Sequence, residues 1–190
     1  MSRSFVDTKL GVGVVDDLLD LARFAPRAGN TQAIEFLVLE EEQVDEYWKV
    51  TFNEKRKDDF PWPNLFKAPV LILVWVDPEK YLQRYAEEDK RNSGLGDDIA
   101  DWVTPYWWVD GGMAAMNILL GSEARGLGAL FFGLFEHEED VKRKFGVPKE
   151  FKSVGAIAIG MASKEQRKSA STKRTQRKPA DVVHRGRWTT

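Results

Sequence analysis

The strongest constraint on the fold is an apolar segment near the middle of the sequence. Residues 68–76 read APVLILVWV, with no charged side chain and several β-branched ones. An uninterrupted run of this kind is typical of a strand covered on both faces, because neither of its faces turns polar. We therefore predict a central strand here, with other elements packed on both sides of its sheet.

Patterns on either side of this strand predict alternating helices and strands. Apolar residues at helical spacing predict a first helix over residues 14–24, which Pro26 ends. We also predict helices over residues 41–52, 78–85 and 138–145, strands over residues 35–39, 129–135 and 154–159, a solvated loop over residues 55–59 and a mobile polar excursion over residues 86–101. This order predicts an α+β fold, a central mixed or antiparallel β-sheet flanked by helices. No repeat or linker divides residues 1–190, so we expect one domain.

A long helix is predicted in the second half of the sequence. Asp110 is a credible N-cap for it, because an aspartate there can accept hydrogen bonds from free backbone N–H groups. Residues 111–126 (GGMAAMNILLGSEARG) are small and apolar almost all round, which is typical of a helix buried on most sides. Gly126 and Gly128 are expected to end it.

Composition and motifs exclude several classes of function. The sequence has no cysteine, which excludes disulfides and thiolate catalysis, and its two histidines, His137 and His184, are too scattered for a metal site. It has neither GxSxG nor a P-loop, and its glycines near residues 126–133 follow a helix, whereas a Rossmann site follows a strand. There is no signal-peptide core and no window of about 18 apolar residues, so we expect a cytoplasmic protein without membrane contact.

The sequence ends in a basic extension, residues 164–190, that has no apolar period of its own. A segment of this kind needs another surface to pack on, and we expect it to cross onto a second subunit. Nucleic-acid binding is an alternative use of its charge. The formal net charge of −2 and the absence of a nucleic-acid motif argue against that alternative.

Seven tryptophans are many for a chain of 190 residues. Four large aromatic side chains are candidates for a wall or lid over a flat ligand, some of them reaching it from a partner subunit: Trp62, Tyr106, Trp107 and Trp108. Simple core packing is an equal alternative for Trp107 and Trp108.

Four short motifs occur in a particular order. They are Arg3-Ser4-Phe5, a helix end and turn over residues 22–32 (ARFAPRAGNTQ), residues 131–135 (FFGLF), and Arg177-Lys178-Pro179. Each motif is weak alone, but their order and spacing over essentially the whole chain resemble the nitroreductase family of FMN enzymes.

The resemblance implies a helix-flanked sheet in an intertwined homodimer, with two FMN sites at the interface. The turn after the first helix would then contact the cofactor through main-chain groups and through side-chain amides, which can both donate and accept hydrogen bonds. The main-chain contacts would come from Pro26, Arg27, Ala28 and Gly29, and the amides from Asn30 and Gln32. A plain helix-ending turn is the alternative.

Three further places are implied as cofactor contacts. Arg3 matches a cation that approaches the pyrimidine edge of the flavin and stabilises its reduced form. An Arg-Arg-Ser element usual in relatives just upstream does not occur in the sequence, so the phosphate is expected at Arg177 and Lys178. A third group would pass over the reactive edge, with a backbone N–H near flavin N5: Phe132, Gly133 and Leu134.

Two positions depart from the family pattern. Gly133 stands where relatives often have an acidic residue, and Arg27 where they mostly have serine. The first departure bears on which nicotinamide or acceptor fits. The second adds a cation that could meet the flavin, the phosphate or an anionic substrate.

The reaction implied by the resemblance is hydride transfer from NADH or NADPH to a small flat acceptor of nitroaromatic or quinone type, by a ping-pong mechanism. The cofactor performs the chemistry, so no catalytic side chain is predicted. Two alternatives stay open. One is other flavin chemistry of the same family, such as dehalogenation, dehydrogenation or deazaflavin-linked reactions; the other is a non-catalytic flavin-binding protein.

Overall fold

The computed structural model describes residues 1–53, 55 and 59–188. Its helices and strands, in chain order, are α1 (Val14–Arg23), β1 (Ile34–Glu40), α2 (Glu42–Thr51), β2 (Val70–Val76), α3 (Pro78–Tyr85), α4 (Tyr106–Ala124), β3 (Gly128–Phe132), α5 (Glu138–Phe145) and β4 (Lys152–Gly160). Most of the loop predicted at residues 55–59, and the last two residues of the basic extension, lie outside the described residues.

The four strands form one sheet in the order β1-β2-β4-β3, and every neighbouring pair is antiparallel. The α+β prediction is confirmed, and the sheet is antiparallel throughout. Each predicted helix and strand is present. The largest difference at a strand end is in β3, which stops at Phe132, three residues earlier than predicted.

The predicted central strand is confirmed by the burial of β2. All seven of its residues are buried, and the side chains of residues 70–75 alternate between two cores. Leu71 and Leu73 face a core shared with α2 and α5, whereas Ile72 and Val74 face a core shared with α1 and α4. Because both faces of the strand are covered, no position in it tolerates a polar residue at low cost.

The start of α4 differs from the sequence prediction. The helix begins at Tyr106, directly after Pro105, so Asp110 lies inside it and the N-cap prediction is wrong. The physical reason is that the aromatic residues before Asp110 gain more from packing as helix. Trp107 is buried and its ring lies edge-on to the rings of Tyr81 and Trp102.

The same helix is buried on one side only within the chain. Gly111 faces the sheet so closely that a Cβ there would lie 2.6 Å from Val154 and 3.0 Å from Val76. On the opposite side Met113, Met116 and Leu120 are exposed. The prediction of a helix buried on most sides is therefore wrong for a single chain. Among the described residues, these apolar side chains are left without full packing.

The polar excursion after α3 is irregular and is bonded to the rest of the chain, while its mobility stays a prediction. Two short 3-10 turns, Arg91–Ser93 and Ile99–Asp101, interrupt it. The indole N–H of Trp102 donates to the carbonyl of Leu95 over 2.9 Å. Among the described residues, no helix is both long and apolar enough to cross a membrane.

Candidate functional site

The turn between α1 and β1 has an unusual backbone conformation. Gly29 and Asn30 both have positive φ, 62° and 54°. Glycine is favoured at position 29 for two reasons: its φ is positive, and a Cβ there would lie 2.8 Å from the ring of Tyr85. The sequence pattern Gly-Asn thus has a local cause: these are two of the residue types that enter the left-handed region most easily.

Side chains from two helices fix the main chain of this turn. The N–H of Ala28 donates to Oδ2 of Asp110 in α4 over 2.8 Å. The carbonyl of Gly29 accepts from Nε of Arg84 in α3, also over 2.8 Å. Thr31 closes the turn from within, since its hydroxyl donates to the carbonyl of Ala28. The turn is therefore held by long-range contacts as well as by its own sequence.

Asp110 is a buried carboxylate with two neutral donors. Only 2% of its surface is exposed, and the same Oδ2 that accepts from Ala28 also accepts from the hydroxyl of Tyr81 over 2.8 Å. Burial, and secondarily the hydrogen bond to Asp110, raise the pKa of Tyr81 above its ordinary value. The phenol therefore stays protonated and remains a donor over the whole working pH range.

Arg84 links the turn to the polar excursion. Its guanidinium binds both carboxylate oxygens of Asp89, over 2.6 and 2.8 Å, while its Nε contacts Gly29. The Asp89 hydrogen bond is the main cause of a raised pKa at Arg84, and the same contact lowers the pKa of Asp89. Within the physiological range both groups are charged.

The two amide side chains of the turn point away from this scaffold. Asn30 and Gln32 are exposed, and neither side chain makes a hydrogen bond to any described residue. They line a cavity of about 400 Å³ together with side chains of α3, among them Lys80 and Arg84. Uncommitted amides on a rigid main chain are suited to a ligand that has both donors and acceptors.

A second group of predicted residues lies around Arg3 and Trp62. The guanidinium of Arg3 lies 5.4 Å from the centre of the Trp62 ring, and the indole N–H donates to the carbonyl of Arg167. These residues line a cavity of about 340 Å³. Two polar side chains of this cavity, Asn64 and Gln166, were missed by the sequence analysis.

Gln166, near the start of the C-terminal extension, is bonded to the N-terminal segment at this cavity. Its amide N–H donates to the carbonyl of Ser4, and its Oε1 accepts from the N–H of Arg3. Asn64 donates to the hydroxyl of Ser4 over 3.2 Å. No sequence motif marks Gln166, whereas the position of Asn64 shortly before the central strand is the one signal that could have found it.

The third predicted group lies at the end of β3. The side chain of Phe132 packs inward, with its ring stacked 5.7 Å from that of Trp48, and Leu134 is buried in the same core. Gly133 is half-buried, and a Cβ there would lie 3.1 Å from the ring of Phe135. What this segment offers a ligand is therefore main chain and the ring of Phe135, which is 81% exposed.

The predicted phosphate-binding cations lie in the C-terminal extension. Arg177 donates to the carbonyl of Asp181, and the N–H of Lys178 donates to the carboxylate of the same residue. Both cations are exposed, and in the described part of the chain their hydrogen bonds stay within the extension. The single chain does not bring them to the other three groups.

The remaining aromatic candidates divide by burial. Trp107 is 5% exposed and belongs to the cluster with Tyr81 and Trp102, so its ring packs within the chain. Tyr106 and Trp108, on either side of it in α4, are both 43% exposed. They are free to cover something outside the chain.

The turn and the Arg3 group lie at opposite ends of the sheet. The turn leads into Ile34, which pairs with Val76 at one end. Arg3 lies two residues before Phe5, which pairs with Ala162 just beyond the other end of β4. Seven residues of extended strand separate these ends by roughly 20 Å. One small ligand in one chain cannot contact both groups.

The fold and these groups define an α+β domain with an outward-facing amide turn and separate cationic segments. Residues 1–161 match the Nitroreductase family, and the chain belongs to this family of flavin-dependent oxidoreductases.

Individual relatives are distant but nearly full-length. A protein of Archaeoglobus fulgidus named "Putative NADH dehydrogenase/NAD(P)H nitroreductase" is 23% identical over 98% of this chain and 92% of its own length. A crystal structure of a nitroreductase family protein from Streptococcus pneumoniae has a TM-score of 0.71 at 20% identity, over 98% of this chain and 94% of that one. An FMN-dependent nitroreductase from Clostridium difficile has a TM-score of 0.68 at 17% identity, over 98% and 94%.

Proposed function

We propose that this protein is an FMN-dependent oxidoreductase that transfers hydride from NADH or NADPH to a small, flat organic acceptor of nitroaromatic or quinone type. The observation that carries the proposal is the turn of residues 27–32, in a chain of the nitroreductase family. Its main chain is held by Asp110 and Arg84, and its two amides are left without a protein partner among the described residues.

The residues of the turn fit FMN by their donor chemistry. A ribityl chain carries hydroxyls and a flavin ring has a polar edge, and an amide can serve either because it both donates and accepts. Asn30 and Gln32 supply two such amides on a backbone whose conformation is fixed before any ligand arrives. Binding then costs little ordering of the loop, which favours affinity.

The other predicted groups complete the site in this proposal. Arg3 stabilises negative charge at the pyrimidine edge, and Arg177 with Lys178 binds the phosphate. Gly133 brings its main chain close to the reactive edge, since it has no side chain in the way. When bound, FMN supplies the redox chemistry by accepting hydride and passing it on. The protein residues position the reactants and exclude water.

A homodimer is part of the proposal, because a site that contains both the turn and Arg3 needs two chains. Two further observations support a second copy. The adjoining faces of α1 and α4 expose large apolar side chains: Leu21, Phe24, Met113, Met116 and Leu120. The C-terminal extension is exposed almost throughout, so it packs little on its own chain. Several large apolar side chains exposed on two neighbouring helices are typical of subunit interfaces.

Tyr106 and Trp108 are the aromatic side chains best placed to cover a flat ligand or the partner in such a dimer. Both lie on the first turn of α4 and both are half-exposed. A nicotinamide and an acceptor that use one covered position in succession are expected to give ping-pong kinetics. Parallel initial-rate lines are the expected result, and intersecting lines would contradict a shared position.

The central test is spectroscopic. Purified protein is expected to show flavin absorption bands, to release FMN on denaturation, and to elute as a dimer in size-exclusion chromatography with light scattering. Under anaerobic conditions NADH or NADPH should bleach the bands, and a quinone or nitroaromatic should restore them. A colourless monomer that takes up no FMN from excess would refute the proposal, and bands that no nicotinamide bleaches would indicate a non-catalytic flavin protein.

A further inference from the structure

We propose that Asp110 is a positioning residue, which holds the turn of residues 27–32 in the conformation that presents Asn30 and Gln32 to the cofactor. This inference rests on the proposed function for its ligand, but the contacts that carry it lie in the protein alone. They are the hydrogen bonds from Ala28 and Tyr81 to one carboxylate oxygen.

The first step is the free-energy cost of burying the carboxylate of Asp110. A carboxylate that is 2% exposed has lost nearly all its hydration, which is expensive unless it is compensated. No ion pair of the described residues includes Asp110, so two neutral donors do the compensating. An apolar side chain of similar size would fill this place in α4 without that cost. The packing of α4 therefore does not by itself explain a carboxylate at this position, which indicates another role.

The second step is what the carboxylate reaches. Ala28 is 82 residues away in sequence, and its N–H is the one main-chain donor of the turn bound by another element in the described chain. The carbonyl of Ala28 accepts from the N–H and the hydroxyl of Thr31. The N–H of Ala28 shares its peptide group with the carbonyl of Arg27, which accepts from the N–H of Asn30. Fixing this N–H therefore fixes the peptide group to which Asn30 is bonded.

The third step is the role of Tyr81. Its side chain is fully buried, and its hydroxyl meets the same Oδ2 over 2.8 Å. The phenol thus sets where the carboxylate oxygen lies. On the other side of the turn, Arg84 holds the carbonyl of Gly29. With both sides held from within, the two amides are left facing outward.

The experiment compares two replacements of Asp110 with a control in the same helix. Asp110→Ala removes the acceptor, whereas Asp110→Asn keeps a side-chain oxygen that can accept both hydrogen bonds. Ser122→Ala is the control, because Ser122 is equally buried in α4 but, among the described residues, its hydroxyl bonds only to the carbonyl of Ile118 in the same helix. Two quantities are measured: amide hydrogen exchange of the turn in FMN-free protein, and the dissociation constant of FMN by fluorescence quenching.

We expect Asp110→Ala to speed exchange in residues 28–32 and to weaken FMN binding about tenfold or more, since a buried donor loses its partner. Asp110→Asn is expected to stay within about threefold of the parent, because it keeps the acceptor. Ser122→Ala should change neither quantity. Tyr81→Phe is expected to give a smaller shift in the same direction, and it keeps the test decisive should Asp110→Ala fail to fold.

Two results would overturn the inference: unchanged exchange of the turn in Asp110→Ala, or equal weakening of FMN binding by Asp110→Ala and Ser122→Ala. A parent protein that binds no FMN at all would refute the proposed function instead. The exchange measurements on FMN-free protein would in that case still decide the role of Asp110.

Discussion

The turn of residues 27–32 and the C-terminal extension are both expected to bind the cofactor, but the chain treats them in opposite ways. Residues of α3 and α4 hold the turn at Ala28 and Gly29. The extension is anchored at its start by Gln166 and is exposed almost throughout from there on. In the proposed dimer, one half of the site is therefore preorganised within a chain, and we expect the other half to become ordered on a second chain.

The largest expected effect comes from removing that second chain. Replacing Met116 and Leu120 with glutamate places two charges on the exposed apolar face of α4. We expect a folded, colourless monomer, because buried unpaired charge at an interface costs several kcal/mol. Light scattering measures the oligomeric state, and circular dichroism tests whether the variant is folded. Hydrogen exchange should stay slow in the turn and become fast throughout the extension; protection of the extension in such a monomer would contradict the comparison.

Next in size is the removal of the two cations of the extension. Arg177→Ala with Lys178→Ala is expected to weaken FMN binding about 100-fold, from two charge-assisted contacts to phosphate. Riboflavin, which has no phosphate, should bind parent and variant alike. Replacing Lys49 and Lys149, two exposed cations elsewhere, is the matched control. Equal losses in both double variants would show that only overall charge matters.

A smaller effect is expected from one methyl group in the turn. Gly29→Ala places a methyl group 2.8 Å from the ring of Tyr85 at a positive φ, so we expect about 2 kcal/mol of lost stability and weaker FMN binding. Gly146→Ala has the same sign of φ but open space around its Cβ, so about 1 kcal/mol is expected and no effect on FMN. Urea unfolding compares the two. Similar losses would mean that contact with Tyr85 is unimportant.

The smallest expected effect is a pH dependence at the Arg84–Asp89 pair. The hydrogen bond from Arg84 lowers the pKa of Asp89 in the folded protein below its ordinary 3.8. A carboxyl group whose pKa is lower in the folded chain stabilises the fold at pH values above its pKa in the unfolded chain. This stabilisation is lost as the pH falls through the pKa of the folded chain. The parent should therefore exceed Asp89→Asn in stability near neutral pH, and the two should converge below about pH 4. A constant difference down to pH 2 would contradict the assignment.

Much of the fold could be predicted from local pattern. The burial of β2 follows from its unbroken apolar run, and α3 and α5 occur at the predicted residues because each carries its own start signal and periodicity. The start of α4 could not be predicted in this way. Asp110 has the type of an N-cap, but its partners are 29 and 82 residues away, and only the tertiary structure shows that they use its carboxylate.

For the site, the sequence supplied residue types but not their arrangement. The family resemblance is confirmed, while the cofactor contacts assigned to the turn, to Arg3 and to Arg177 stay predictions. The separation of the turn from Arg3 by the length of the sheet depends on strand order and register, which no single motif encodes. Arg84 and Gln166 were missed for a related reason: each acts by holding main chain far away in sequence, and nothing local marks that role.

The close approach of Gly111 to Val154 and Val76 has a consequence for redesign of this enzyme. With no side chain between them, the first turns of α4 and the end of the sheet form one stiff unit, and the carboxylate next to Gly111 reaches the loop only at that spacing. Bulkier residues at position 111 would lift the helix and withdraw the carboxylate together. Libraries aimed at new acceptors should therefore vary the outward residues of this helix and leave its inward glycine alone.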